Sequence, residues 1–319
     1  DGRCPDAHRL ERAGKAGDQV AEADPRGHRH EDPKCEVAIE KGEAALFGRH
    51  VRMLSMAGWR TLAIYSRAME VEPRSATRPA TYEIQGRDVT MPCQVRDACS
   101  ATATWLVSAR AAQALLPGPE LEIAEVLPGR GLLSIACIDY RDNDLGDYNE
   151  VSIAFFVRKR GERAALPYLG AMADMMRGQL PTHIIHLPVN QSFTCEAGCT
   201  IWGFPKTVDE IEFDTTGDRA RCVWNKDGQN VLKISFPKGG SRDFPEQMLS
   251  TYSYIDGELH RTPFASSAEN LGVRMGGVRL ALGAHPIADQ LRALGLPKRA
   301  LMSMWMGKMR GSFDAAERC

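Results

Sequence analysis

The sequence predicts a mainly β fold of the α+β class, an antiparallel β-barrel with peripheral helices. Three observations carry this. Short apolar runs recur between turn dipeptides, only three stretches have helical spacing, and strands do not alternate with helices as a doubly wound fold requires. With 319 residues, 43% hydrophobic and 25% charged, the chain is ordinary for a soluble globular protein. A formal net charge of −1 gives no concentrated basic surface, so a nucleic-acid partner is not expected.

Residues 1–41 are polar, charged and poor in aliphatic periodicity, a composition that cannot offset chain entropy by burial. Between Ala44 and Met69 the arginines Arg49, Arg52 and Arg60 break up any run of about 20 apolar residues, so no membrane span is expected. Nor does this region have the layout of a secretory signal. Residues 1–74 are therefore expected to be a disordered or non-native extension, with Met69 as a candidate true start, and residues 75–319 a single domain.

From Ala80 the pattern changes. Thr81–Gln85 and Val89–Val95 read as strands around a turn at Gly86, which puts Arg87 at a strand edge. Ala103–Leu116 has helical spacing (Trp105, Val107, Ala111, Leu115) and stops at Pro117-Gly118. Strands follow at Leu121–Val126, Gly131–Asp139 and Val151–Val157. The acidic loop between the last two lacks EF-hand spacing and reads as solvated. Ala165–Leu180 is helical. His183–Val189 is a strand on which His183 and His186, three apart, should face opposite ways. Later strands are expected at Val208–Phe213, Arg219–Asn225, Val231–Phe236, Ser253–Leu259 and Val278–Gly283, with hairpin turns at Asp227-Gly228 and Asp256-Gly257. His285–Leu294 is a short helix opening with Pro286. Ala300–Phe313 fits either a strand or a helix.

Motifs for nucleotide or serine chemistry are lacking: there is no GxGxxG after a strand, no P-loop and no GxSxG elbow. Nine cysteines are scattered without a CxxC pair. Cys195 and Cys199 would share a helix face, but no further pair with zinc-site spacing follows. These cysteines read as packing residues in a reducing compartment, and no metal is expected.

One lysine stands apart. Lys206 follows Trp202, Gly203, Phe204 and Pro205, the most apolar and rigid approach to any lysine in the chain. An amine shielded by Trp202 and Phe204 would lose water, and desolvation favours its neutral, nucleophilic form. Set against this, a lysine that lays its stem across an aromatic patch is the commoner arrangement.

WGFPK before a strand, with LGDYNE (145–150) upstream, resembles the acetoacetate decarboxylase family. YEIQGRDVTMP (82–92) and LGAHPIADQL (282–291) resemble two further segments of it in the same order. The likeness runs from about Ala80 to Arg310. It implies a closed β-barrel, usually in a homo-oligomer. It also implies a cytoplasmic carbon–carbon lyase that decarboxylates acetoacetate or a related small oxo acid without a cofactor. Lys206 takes the place of the imine-forming lysine, with Glu150 and Arg87 as further catalytic residues and Tyr148, Trp202 and Phe204 as substrate-binding ones. In the family's name-giving enzyme, desolvation and a neighbouring cation together activate the lysine. Two departures stand out. The best-known members carry a second lysine where this chain has Thr207, and a glutamate in the preceding strand where it offers Ser134 or Ile135. Two other readings remain open: an aldolase or dehydratase on the same lysine, and a barrel that binds a ligand without turnover.

Overall fold

The computed structural model describes residues 80–162 and 168–319, so the expectations for residues 1–74 lie outside the described residues. The hairpin β1 (Thr81–Ile84) and β2 (Arg87–Thr90) turns through Gln85 and Gly86, both at positive φ, the backbone a two-residue hairpin requires. The long strand β3 (Cys93–Ser108) corrects the helix expected from Ala103. Ala101, Ala103, Trp105 and Val107 are all fully buried at a spacing of two, so strand periodicity wins over the coincident helical spacing. Only the end of that stretch is helical, α1 (Ala109–Gln113), capped by the Ser108 hydroxyl, which accepts from the Ala111 amide at 3.3 Å.

Then follow β4 (Leu121–Ile123), β5 (Arg130–Asn143), β6 (Tyr148–Lys159), α2 (Leu169–Met176) and β7 (Thr182–Val189). The helix α3 (Ser192–Trp202) lies outside the three stretches that read as helical in the sequence. After it come β8 (Lys206–Val208), β9 (Glu210–Asp214), β10 (Arg219–Lys226), β11 (Gln229–Pro237), β12 (Arg242–Ile255), β13 (Glu258–Arg274) and β14 (Arg279–Leu282). The chain closes with α4 (Pro286–Ala293), β15 (Met302–Phe313) and β16 (Glu317–Arg318). Ala300–Phe313 thus resolves as strand.

The fold is mainly β with few helices. A ten-stranded sheet runs β4-β6-β5-β3-β15-β13-β12-β7-β8, with β16 as the tenth strand beside β13, and β7 also pairs with β6, so the pairings lead from β6 round to β7 and back. The ladder is not wholly antiparallel as expected: β7 runs parallel to both β12 and β8. A second sheet, β14-β11-β10-β9, packs against one face of the first.

The large sheet separates two cores. On one face Trp105, Leu133, Ile135, Cys137, Ile153 and Phe155 meet Trp224, Leu232 and Phe236 of the small sheet. On the other face, the β1–β2 hairpin and α3 cover Tyr140, Tyr148, Leu187 and Val189. A register shift between Ile153 and Ala154 pairs His186 with Ile153 and His183 with Phe155, two residues of the same core. This corrects the expected opposition of the two histidines: the bulge inserts the extra residue that turns both toward the small-sheet side.

Candidate active site

Lys206 owes its place to the end of α3. The helix stops in a left-handed Gly203 (φ 61), whose amide donates to the Cys199 carbonyl at 3.0 Å, while the Phe204 amide donates to the Gly198 carbonyl at 3.1 Å. This paired C-terminal cap turns the chain sharply, and Pro205 stiffens the next step. A Cβ on Gly203 would lie 2.6 Å from the Tyr254 carbonyl oxygen and from the Ile255 side chain, so glycine is required twice over. Lys206 then enters β8 opposite Leu187 and points into the second core with 4% of its side chain exposed.

The register delivers the other groups to the same face. Glu150 pairs with Val189, which pairs with Val208, and Lys206 lies two residues back along that strand. On the far side of β6, Ile138 pairs with Glu150 and Tyr140 with Tyr148. The Lys206 Nζ lies 2.9 Å from Glu150 Oε2, whose side chain is 8% exposed. Nζ also donates to Thr194 Oγ1 at 3.2 Å and faces the Tyr148 ring, 5.1 Å from its centroid. The Tyr140 hydroxyl donates to the other carboxylate oxygen, Glu150 Oε1, at 3.4 Å, and its ring stacks on Tyr148 at 4.5 Å. Burial, and then the nearby Glu150 charge, push both phenols well above the usual tyrosine range, so both stay protonated.

The lysine stem crosses α3 where the helix has no side chain. A Cβ on Gly198 would fall 2.4 Å from Lys206 Cδ and 2.6 Å from Cε. Thr194 lies one turn earlier on the same helix face, which puts its hydroxyl at the end of the stem.

Among the residues singled out from the sequence, Lys206, Glu150 and Tyr148 converge. Arg87 is exposed on β2, with its guanidinium 4.1 Å above the Phe193 ring, beside Thr194 in sequence. The hairpin that carries it is tied to α3 by Gln85 Nε2, which donates to Glu196 Oε2 at 2.9 Å. Trp202 and Phe204 are buried but stack on each other at 5.8 Å. Trp202 also packs edge-on to Phe313 and donates from Nε1 to the Asp314 carbonyl at 2.7 Å. They form the wall beneath the turn, whereas the ring facing the amine is Tyr148.

The position read as a missing acid moves as well. Ile135 lies in the opposite core and Ser134 pairs with Ala154, far along β5; the residues that neighbour Glu150 and Tyr148 are Ile138 and Tyr140. Thr207 turns to the other face of β8, where its hydroxyl donates to Asp209 Oδ2 at 3.0 Å. Tyr140, Thr194 and Gly198 escape a reading of the sequence alone. The four-residue spacing of Thr194 and Gly198 is a signal, but it is visible only once α3 is recognised as a helix. A surface hollow of about 380 Å³ opens against β9 and β10, beside Asn190, Glu210 and Asn225, and does not include Lys206.

Fold and site together define a mainly β protein with an internal lysine–carboxylate pair served by hydroxyl groups. The acetoacetate decarboxylase (ADC) family model matches residues 77–310, and the chain belongs to that family, whose members include lyases. Among solved structures it is similar to acetoacetate decarboxylase from Legionella pneumophila subsp. pneumophila str. Philadelphia 1, at 16% identity and a TM-score of 0.52. That match covers 79% of this chain and 93% of the other. A second acetoacetate decarboxylase structure matches at 16% identity and TM-score 0.47, covering 72% and 89%. The enduracididine biosynthesis enzyme MppR, complexed with pyruvate, matches at 14% identity and TM-score 0.48, covering 71% and 90%. No curated protein matches the chain by sequence. Among the described residues, no helix is long and apolar enough to cross a membrane.

Proposed function

We propose that this chain is a Schiff-base lyase that decarboxylates acetoacetate or a related small β-keto acid through an imine on Lys206. The observation that carries the reading is the buried contact of 2.9 Å between Lys206 Nζ and Glu150 Oε2. Glu150 takes a proton from the ammonium, and the neutral amine attacks the ketone carbon. Loss of water leaves a protonated imine. The C–C bond to the carboxylate then breaks, its electron pair flows to the imine nitrogen, and carbon dioxide departs. The resulting enamine takes a proton at carbon, and water releases the ketone and restores the amine. Arg87, at the rim above Phe193, offers a planar fork to the substrate carboxylate. The circuit of strand pairings supports reading the large sheet as a closed barrel with Lys206 inside it.

A second reading uses the same imine. Ile138 stands beside Glu150 on β5, so that position brings no second acid to the substrate carboxylate. An enamine kept longer at Lys206 would attack an aldehyde, giving aldol or dehydratase chemistry. Borohydride in the presence of a ketone should leave a covalent adduct on Lys206 and none on a Lys206→Met variant. No adduct across a panel of oxo acids, from folded protein, sinks both readings and leaves a ligand-binding barrel. Carbon dioxide release without coupling favours the decarboxylase, and a condensation product from pyruvate and an aldehyde favours the alternative.

A further inference from the structure

Two oxygens of different kinds face Lys206 Nζ. Glu150 Oε2, at 2.9 Å, belongs to a carboxylate that can take a proton and hold it. Thr194 Oγ1, at 3.2 Å, accepts a hydrogen bond, but an alcohol oxygen is far too weak a base to keep the proton. Accepting from Nζ asks nothing of the hydroxyl's own proton, because the oxygen has two lone pairs. Thr194 is wholly buried on α3, so packing holds its rotamer. One turn on, Gly198 leaves the space through which the lysine stem runs, with Cδ and Cε against the helix. The amine is thus delivered along one line and met at its end by a hydroxyl on the same helix.

We propose that Thr194 positions the reacting nitrogen: its oxygen keeps one N–H throughout imine formation, so that the new C–N bond grows on the side of Glu150. This rests on the imine reading of Lys206 and adds a residue that serves it. When Glu150 takes a proton from the ammonium, the lone pair left behind points where that proton was, toward Oε2. The ketone carbon bonds there, its π electrons move to oxygen, and Glu150 returns the proton to that oxygen. The nitrogen now carries two protons. The one held by Thr194 stays, and the other goes to Glu150, which passes it to the hydroxyl on carbon. The C–O bond breaks, water leaves, and the nitrogen lone pair closes the C=N bond. Atoms and charge balance: ammonium, carboxylate and ketone become iminium, carboxylate and water. The iminium nitrogen is planar and keeps a single proton. Holding that proton on Thr194 fixes the plane through Cε and Nζ and leaves the third direction to the substrate carbon.

The test is the rate of adduct formation on Lys206 with acetone, trapped by excess cyanoborohydride at timed intervals and measured over a range of acetone concentrations. Thr194→Val keeps the shape and removes the hydroxyl. Thr194→Ser and Thr194→Ala both lose the methyl and differ by the hydroxyl alone. A positioning oxygen predicts that the maximal rate falls at least roughly tenfold in T194V and T194A, while T194S stays within about threefold of the unaltered protein. The acetone concentration that gives half the maximal rate should stay within about twofold in all three, because Thr194 meets the amine before any ketone is bound. A packing role predicts a different order, with T194V close to the unaltered protein and T194S as slow as T194A. An unaltered rate in T194V, equal losses in T194S and T194A, or a change confined to the half-saturating concentration overturns the role of Thr194 and leaves Lys206 as the imine former. If T194V does not fold, the comparison of T194S with T194A decides. No adduct even in the unaltered protein overturns the imine reading and this one together.

Discussion

Two lysine–carboxylate pairs shielded from solvent flank the same short strand, and they are built for different ends. On one face of β8, Lys206 meets Glu150 at 2.9 Å; past β8 on the other, Lys226 meets Asp209 at 2.7 Å, with side chains 13% and 4% exposed. Asp209 is saturated: Oδ1 takes Lys226, and Oδ2 takes the Thr207 hydroxyl and the Trp224 indole N–H at 2.9 Å. Its donors sit on β8 and β10, so the carboxylate pins the corner where the chain leaves the large sheet for the small one. Glu150 is held less tightly: Oε2 takes Lys206, and Oε1 takes one hydroxyl, that of Tyr140, at 3.4 Å. A short lysine–carboxylate contact thus serves as a rivet in one place and sits in the candidate site in the other, and what separates them is how firmly the carboxylate's second oxygen is held.

The largest test breaks the rivet. Lys226→Met leaves Asp209 buried without its cation and should cost about 3–5 kcal/mol in urea unfolding. Trapping at Lys206, per folded molecule, should stay within about twofold, because the two pairs lie on opposite faces; a collapse of trapping would merge the two regions into one.

The same side should set the acid limit. Burial pulls His183 down to about 4, and burial together with the Lys226 cation lowers His186. An unfolded histidine takes its proton near 6.5, so as pH falls from there toward 4 the unfolded chain gains a proton that the folded one refuses. Stability is intact above about pH 6.5 and falls below it, by roughly 3 kcal/mol for His183 alone. Urea melts at pH 7 and pH 4.5 should show the drop, and His183→Gln should flatten it.

Gly198→Ala acts on the other face. Its Cβ would displace the Lys206 stem, and a shift of about 1 Å in a reacting group costs on the order of 10²-fold in rate. Timed trapping checks this, and a rate within threefold of the unaltered protein would mean the stem has room to move. The smallest effect sharpens the contrast at a single residue: Thr207→Ala removes one bond to Asp209, about 1–2 kcal/mol of stability, and leaves the trapping rate alone.

Much of this was legible in the sequence. Turn dipeptides placed the hairpins, and the segment from Trp202 to Lys206 marked the lysine because its rigidity and apolarity are local properties. Glu150 and Tyr148 were found through resemblance, since nothing in LGDYNE itself says that it faces a lysine 56 residues later. Tyr140 and Thr194 were out of reach for a physical reason. Their roles depend on cross-strand register and on a helix whose buried residues include Phe193, Thr194, Cys195, Ala197 and Gly198, a pattern too small and mixed to show an amphipathic period. The helix expected from Ala103 has a related cause: between Ala103 and Val107 both faces of β3 are largely covered, which weakens the polar alternation that identifies strands.

The place of β15 has a consequence for biosynthesis. It lies between β3 and β13, pairing Met302 with Thr104, and the Trp105 indole donates to the Lys298 carbonyl at 3.0 Å across 193 residues. Until the ribosome has released that strand, β3 presents an unpaired edge of sixteen apolar-rich residues to the cell. Such edges recruit other chains, and pairings this distant in sequence form slowly. The nascent chain therefore carries its sheet open from the synthesis of β3 until that of β15, with this edge exposed to any neighbouring chain.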